Sequence, residues 1–183
     1  MAGVKVVLTY QDYAALPDDG RRYEIHDGEL SVTPAPGRTH QYVLIRLAAA
    51  LHTYVSAHHM GEAYAAPFDV ILAETTIVQP DIVYVANDRL AILSERGCEG
   101  APTLAVEALS PSTAHIDRST KLQLYARYAV PSYWIVDSAR RVIEVYRLVA
   151  RSYAGPEAFG DDGLADLPPF DGLRLDPASL WVH

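Results

Sequence analysis

Apolar and polar positions alternate with two different periods along the chain, and the change of period divides it into elements. Thr9 is placed to cap a short helix over Tyr10 to Leu16, which the Pro17-Asp-Asp-Gly20 cluster then ends. Two β-patterned runs follow in Tyr23-Glu-Ile-His-Asp-Gly-Glu-Leu-Ser-Val32, joined at Asp27-Gly28, a dipeptide suited to a two-residue hairpin turn. After the Pro34-Ala-Pro-Gly37 break, Val43, Leu44, Leu47, Leu51 and Val55 recur at helical spacing. They form one face of a helix from about His40 to Ala57.

From Ala63 the period shortens. Phe68 to Leu72 and Ile77 to Val85 read as strands, the second containing Pro80-Asp81. Thr103-Leu-Ala-Val-Glu-Ala-Leu109 is almost wholly apolar, the pattern of a strand covered on both faces, and carries a single carboxylate at Glu107. Ser110-Pro-Ser-Thr113 stops that strand and can cap a helix running to about Tyr128. Pro131 separates this helix from a strand at Tyr133 to Val136, and Val142 to Tyr146 forms another. The tail from Ala154 to His183 is rich in Gly, Pro and Asp, with Leu167-Pro-Pro-Phe170 and Leu180-Trp181 as apolar anchors. It is expected to wrap the domain surface. The order of elements predicts an α/β fold with a mixed central β-sheet flanked by helices, and the 183 residues suit a single domain over 1–183.

Composition narrows the function classes. Fifteen basic side chains against 23 acidic ones leave a formal charge of −8, which argues against a general nucleic-acid coat but does not exclude a metal-dependent enzyme, whose acidic site is partly neutralised by the bound cation. The single Cys98 allows no intrachain disulfide and no structural zinc site of the thiolate type. No run of apolar residues is long enough to span a membrane and no leader is visible, so a reducing, cytoplasmic setting is expected.

Three positions stand out chemically. Asp81 follows a proline in a strand, Glu107 interrupts a buried strand, and Lys121 lies on the next helix. A carboxylate in an apolar strand is costly without compensation, so Glu107 needs a cationic partner. Two carboxylates on neighbouring strands can converge on a hard cation, for which magnesium suits oxygen-only donors. Lys121 is then placed to orient or activate a water, or to stabilise charge developing on a phosphate. Each position also has a plainer explanation: Asp81 as a turn residue, Glu107 as half of a structural ion pair, and Lys121 as a solvated partner of Asp117, four residues earlier.

These residues resemble a known family. Tyr23-Glu-Ile-His-Asp-Gly-Glu-Leu30, His40-Gln41, Pro80-Asp81-Ile82, Val106-Glu-Ala-Leu-Ser-Pro-Ser-Thr113, Asp117, Lys121-Leu122, Tyr125-Ala126 and Val130-Pro-Ser-Tyr-Trp-Ile-Val-Asp137 run in the order of the Uma-type family of restriction endonucleases, across roughly residues 20 to 147. That family is expanded in cyanobacteria and falls within the PD-(D/E)XK nuclease superfamily. The resemblance implies the restriction-endonuclease-like fold and a magnesium-dependent DNA endonuclease, with manganese as a substitute. It implies Asp81 and Glu107 as metal ligands, the Ala108 carbonyl as a third, Lys121 as the catalytic cation, and Glu24 and His40 as residues completing the site. Leu109 stands where the simplest superfamily pattern has its lysine, and Lys121 from the following helix takes that place. A homodimer is expected of nucleases that cut both strands. Two other functions remain open: a non-catalytic nucleic-acid-binding or regulatory module on the same fold, and a metal-dependent hydrolase of a small phosphorylated substrate.

Other chemistry-bearing residues carry less. His52, His58 and His59 lack the i,i+4 spacing of a helical zinc pair. Ser110, Ser112, His115 and Asp117 supply hydrolase residue types without a nucleophile elbow, so capping explains them better. Cys98 has no fixed cation beside it in the sequence, and Tyr125, Tyr128, Tyr133 and Trp134 are assigned to the core. Arg38, Arg46, Arg118, Lys121 and Arg127 are the candidates for contact with phosphates.

Overall fold

The computed structural model describes residues 6–111 and 113–182. Thr9 opens helix α1 (Tyr10–Ala14), its N–H donating to Asp12 Oδ2 at 2.8 Å. Strands β1 (Arg22–His26) and β2 (Glu29–Thr33) form the hairpin expected from Asp27-Gly28. Both turn residues have positive φ, 51° and 83°, the conformation that matches the twist of paired strands. Helix α2 spans Arg38–Ala57 and starts two residues before the expected position, at the Gly37 cap. Its Val43, Leu47, Leu51 and Val55 are buried, as the spacing predicts.

Short strands β3 (Gly61–Ala65), β4 (Val70–Ala73), β5 (Thr76–Val78) and β6 (Ile82–Ala86) come next, then β7 (Leu93–Ser94), β8 (Gly97–Cys98) and β9 (Leu104–Ala108). The run from Ile77 to Val85 is therefore two strands rather than one. Pro80 has no N–H to contribute to a ladder, and the chain changes sheets there. β5 pairs with β1 and β4, whereas β6 pairs with β3 and β9. Cys98 is fully buried in β8.

Helix α3 (Ala114–Ile116) continues through a π-helical turn (Asp117–Lys121) into α4 (Leu122–Arg127). Strands β10 (Ser132–Asp137) and β11 (Val142–Val149) follow. β9 and β10 are parallel and wholly buried, and helix 114–127 is the crossover that parallel strands require. With β12 (Ser152–Phe159) at one edge, the central sheet has the order β12-β11-β10-β9-β6-β3, in which β9–β10 is the parallel pair of an otherwise antiparallel arrangement. A second six-stranded sheet, β2-β1-β5-β4-β8-β7, was not foreseen from the pattern, because several of its strands are only two or three residues long.

The tail does more than wrap. Residues Ser152–Phe159 form strand β12 at the edge of the central sheet, paired with β11. Beyond it, β13 (Ala165–Asp166) and β14 (Arg174–Leu175) pair with each other. Leu167, Phe170, Leu180 and Trp181 join α2, Val106, Trp134 and Val136 in the core on one face of the central sheet. The indole of Trp134 donates to the Pro168 carbonyl at 2.7 Å, and that of Trp181 to Asp161 Oδ1 at 2.7 Å. The opposite face packs Val83, Ala105 and Ile135 against Tyr125, Tyr133, Val70, Val78 and Cys98. Strand alternation fixes which residues belong to that face: 83 and 85 on β6, with 81 just before it, and 105 and 107 on β9. No described helix is long and apolar enough to cross a membrane.

Candidate active site

A cavity of about 190 Å³ opens where the two sheets meet, and Arg22, Glu24, His40, Asp81, Glu107 and Lys121 are among the residues lining it. Their convergence follows from the topology. Asp81 sits at the sheet switch, one residue before the Ile82–Val106 pair, and Glu107 lies one residue after Val106 on the antiparallel neighbour. The two carboxylates are thus opposite each other on one face. Glu24 arrives from β1 of the second sheet, and Lys121 descends from the crossover helix.

The polar contacts form one connected set. Lys121 Nζ donates to Glu107 Oε1 at 2.8 Å and to Glu24 Oε1 at 2.9 Å, and lies 3.8 Å from Asp117 Oδ1. Tyr125 donates its hydroxyl proton to Glu107 Oε1 at 2.9 Å. The Gln79 N–H, free of ladder duty beside Pro80, donates to Glu24 Oε1 at 2.7 Å, and His26 Nε2 lies 3.1 Å from Glu24 Oε2. Asp81 accepts from Arg22 Nη1 at 2.9 Å and from the Ala108 N–H at 2.8 Å. His40 Nε2 stands 3.4 Å from Asp81 Oδ2 without hydrogen-bond geometry.

Asp117, Lys121 and Tyr125 share a helix face, as their spacing predicts, but that face is buried rather than solvated. Glu24 is likewise buried. Position 109 is taken by Leu109, which packs on the core, so the cationic place beside Glu107 belongs to Lys121.

Burial of so many charges sets the electrostatics. It pushes the Glu24 carboxyl up, but the Lys121 ammonium and His26 outweigh it and hold the pKa down at about 2. Asp81 is also lowered, because the neighbouring His40 ring, Arg22 and the Ala108 N–H together outweigh burial. For Glu107, burial wins. With the Asp117, Asp81 and Glu24 carboxylates around it, its pKa lies well above the usual range despite Lys121. Burial raises Asp117 too, against Lys121. Burial alone would lower Lys121, and the three carboxylates around it reverse the sign.

Four carboxylates (Glu24, Asp81, Glu107 and Asp117) therefore line the cavity with two cations, Arg22 and Lys121. Fully ionised, they leave an excess of two negative charges. The raised pKa of Glu107 is where that excess appears. A divalent cation would neutralise the excess, and the donors on offer are oxygens, which fits magnesium in charge and in ligand chemistry. As the side chains stand, no group of three or more His, Cys, Asp or Glu among the described residues is arranged to hold a metal ion. The reason is visible in the contacts: Asp81 is turned to Arg22 and the Ala108 N–H, and Glu107 to Lys121 and Tyr125.

The ion pair of Glu24 makes a pH prediction. Its folded pKa of about 2 lies below the ordinary value of 4.5, so its stabilisation is present above 4.5 and lost as pH falls through about 2. Glu107 acts oppositely, contributing stability at acid pH that is lost as pH rises through its raised folded value. In urea denaturation, Glu24→Gln is expected to lose on the order of a few kcal/mol relative to the parent at neutral pH. The gap should narrow as the buffer is taken below pH 4.5. A gap independent of pH would show that the carboxylate charge is not what stabilises.

Two participants were missed in the sequence reading. Arg22, which pairs with Asp81, lies 59 positions away from it and carries no local pattern. Tyr125 was assigned to the core; it is buried, but its hydroxyl serves Glu107. Several other candidates are not brought to the cavity. Arg118 pairs with Asp137 at 3.0 Å and with Glu144, and Arg127 with Asp27 at 2.8 Å. Arg38 and Arg46 are exposed on α2, where Arg46 lies 4.9 Å over the Tyr42 ring. His52, His58 and His59 are exposed, as is His115. Ser110 does line the cavity, where it shares a hydrogen bond of 2.8 Å with Thr113, and Ser112 lies outside the described residues. Burial pushes the Cys98 thiol up to about 12, which removes it as a nucleophile. Tyr133 and Trp134 are core residues as expected, and Tyr128 shares a 3.2 Å hydrogen bond with Thr76.

Comparison with known proteins adds two findings. The model of the Uma2 family, described as "Putative restriction endonuclease", matches residues 10–178. The crystal structure of a "putative nuclease belonging to DUF820" from Anabaena variabilis ATCC 29413 superposes with a TM-score of 0.79 at 20% identity, over 94% of this chain and 97% of that one. At that identity the likeness is one of fold. No curated protein matches the chain.

Proposed function

Since the chain belongs to the Uma2 family of putative restriction endonucleases, we propose that it is a magnesium-dependent nuclease hydrolysing phosphodiester bonds of DNA. The observation that carries this reading is the buried excess of carboxylate beside a lysine, with Asp81 and Glu107 facing each other across adjacent strands. Asp81, Glu107 and the Ala108 carbonyl would hold the cation, with manganese able to replace it. When bound, it would supply a Lewis acid for a phosphoryl oxygen and a more acidic water. For the cation to be held, Asp81 must turn from Arg22 and Glu107 from Lys121.

The remaining work falls to the protein's own groups. Lys121, released in part from Glu107, keeps Glu24 as an anchor and presents its ammonium where negative charge grows on the phosphate. Arg22 stands ready as a second cation for the phosphate oxygens. Tyr125 fixes the orientation of Glu107. Glu24 and Asp117 act through Lys121 as positioning residues.

One observation favours a different substrate. Arg118 and Arg127 are already paired with carboxylates and the formal charge is −8, which suits a small phosphorylated molecule better than a long duplex. The test is incubation with plasmid, single-stranded DNA and RNA, with and without magnesium or manganese. Metal-dependent cleavage of plasmid DNA is the expected result. Metal-dependent hydrolysis confined to small phosphodiesters would replace the reading with the second one, and no hydrolysis would leave a binding module.

A further inference from the structure

The cavity contains a group that none of these roles uses. His40 is the third residue of α2; its side chain is 10% exposed, its Nε2 has only the 3.4 Å contact with Asp81 Oδ2, and its Nδ1 has no hydrogen-bond partner among the described residues. A buried imidazole left in that state costs stability unless a partner arrives. His40 and the Gly37 cap both line the cavity, so a partner for the ring would sit there.

The start of α2 has the same need. The helix runs for 20 residues, has no acidic residue in its first turn, and is capped by a glycine that offers no side-chain acceptor. Its first internal hydrogen bond is from Gln41 N–H to the Gly37 carbonyl at 3.1 Å. The N–H groups of Arg38, Thr39 and His40 precede that bond and lie at the positive end of the helix dipole. Across the mouth, the Arg22 guanidinium and His40 flank the same Asp81 carboxylate, at 2.9 and 3.4 Å. Helix donors outside the intrahelical ladder, the buried imidazole and a cation together suit an anion with several oxygens.

We propose that the first turn of α2 and His40 form a subsite for a phosphodiester group of the substrate. Backbone N–H groups of that turn and the imidazole N–H donate to its non-bridging oxygens. The assignment rests on the nuclease reading for the identity of the substrate, but not for the presence of the anion site. His40 is here a substrate-binding residue, and its donation holds the phosphate beside Asp81.

The test uses dimethyl phosphate, a phosphodiester without a base, titrated into the isotopically labelled full chain with magnesium present. The imidazole resonances of His40 and the amides of Thr39 and His40 should shift saturably. His40→Phe should weaken binding roughly tenfold, the loss of one hydrogen bond, while calorimetric magnesium affinity stays unchanged. His40→Gln, which retains an N–H donor, should recover part of the affinity. Thermal melts check that both variants fold, and the titration of the parent stands without them. Unshifted His40 signals, or equal affinity in His40→Phe, would overturn the subsite. Phosphate binding without cleavage of any nucleic acid would uphold the subsite and overturn the nuclease reading. Cleavage of DNA by the parent, with dimethyl phosphate ignoring position 40, would do the reverse.

Discussion

Replacing Lys121 by methionine is expected to destabilise the protein by about 3–5 kcal/mol at neutral pH, the cost of removing one partner from a buried ion pair. Lys121 donates to both Glu24 and Glu107 and is itself buried, so the substitution strands two carboxylates in a cavity already rich in negative charge. An exposed helix pair of the same sequence spacing would cost under about 1 kcal/mol. Urea denaturation distinguishes the two. The loss should shrink in Lys121→Met combined with Glu24→Gln, because the second change removes one of the stranded charges. Activity should fall by roughly 100-fold or more in either background, the scale for losing one preorganised charge-stabilising group. Lys121→Arg should restore stability better than turnover, since a planar guanidinium does not place its charge where a compact ammonium does. A stable, fully active Lys121→Met would remove the residue from the site.

Neutralising Glu107 separates catalysis from stability in the opposite way. Glu107→Gln keeps the shape and an acceptor for the Lys121 and Tyr125 donors, while relieving repulsion from Asp117, Asp81 and Glu24. The metal-free variant should therefore melt at or above the temperature of the parent. Cleavage should nevertheless drop by roughly 100-fold or more, and calorimetric magnesium binding should weaken. Asp81→Asn should match it in activity but not in stability, because Asp81 is held in its charged form by Arg22 and by the Ala108 N–H. A clear fall in the melting temperature of Glu107→Gln would mark Glu107 as half of a structural ion pair. Unchanged magnesium affinity in both variants would refute their assignment as ligands.

Local patterns determined much of this protein. The 3.6-residue spacing of Val43, Leu47, Leu51 and Val55 was enough for α2, and Asp27-Gly28 was enough for the hairpin, because both signals act within a few residues. Glu107 was conspicuous for the same reason: a lone carboxylate in an apolar strand demands a partner wherever the strand ends up. Which partner it finds depends on long-range geometry. Lys121 lies 14 residues away from Glu107 and 97 from Glu24, and its spacing from Asp117 alone suggested a solvated pair. Only the packing of the crossover helix against β9 and β1 turned that face inward.

The remaining differences have one cause. Pro80 was read as a residue within a strand, yet its missing N–H became the point where the chain leaves one sheet for the other. That switch frees the Gln79 N–H for Glu24 and brings Asp81 opposite Glu107. Arg22 and Asp81, and the tail strand β12 with Trp181, are likewise contacts between segments whose own sequences give no hint of each other. Burial and strand pairing are properties of the assembled sheets, so residue type and spacing supplied the chemical inventory, and the tertiary structure decided which charges must share one cavity.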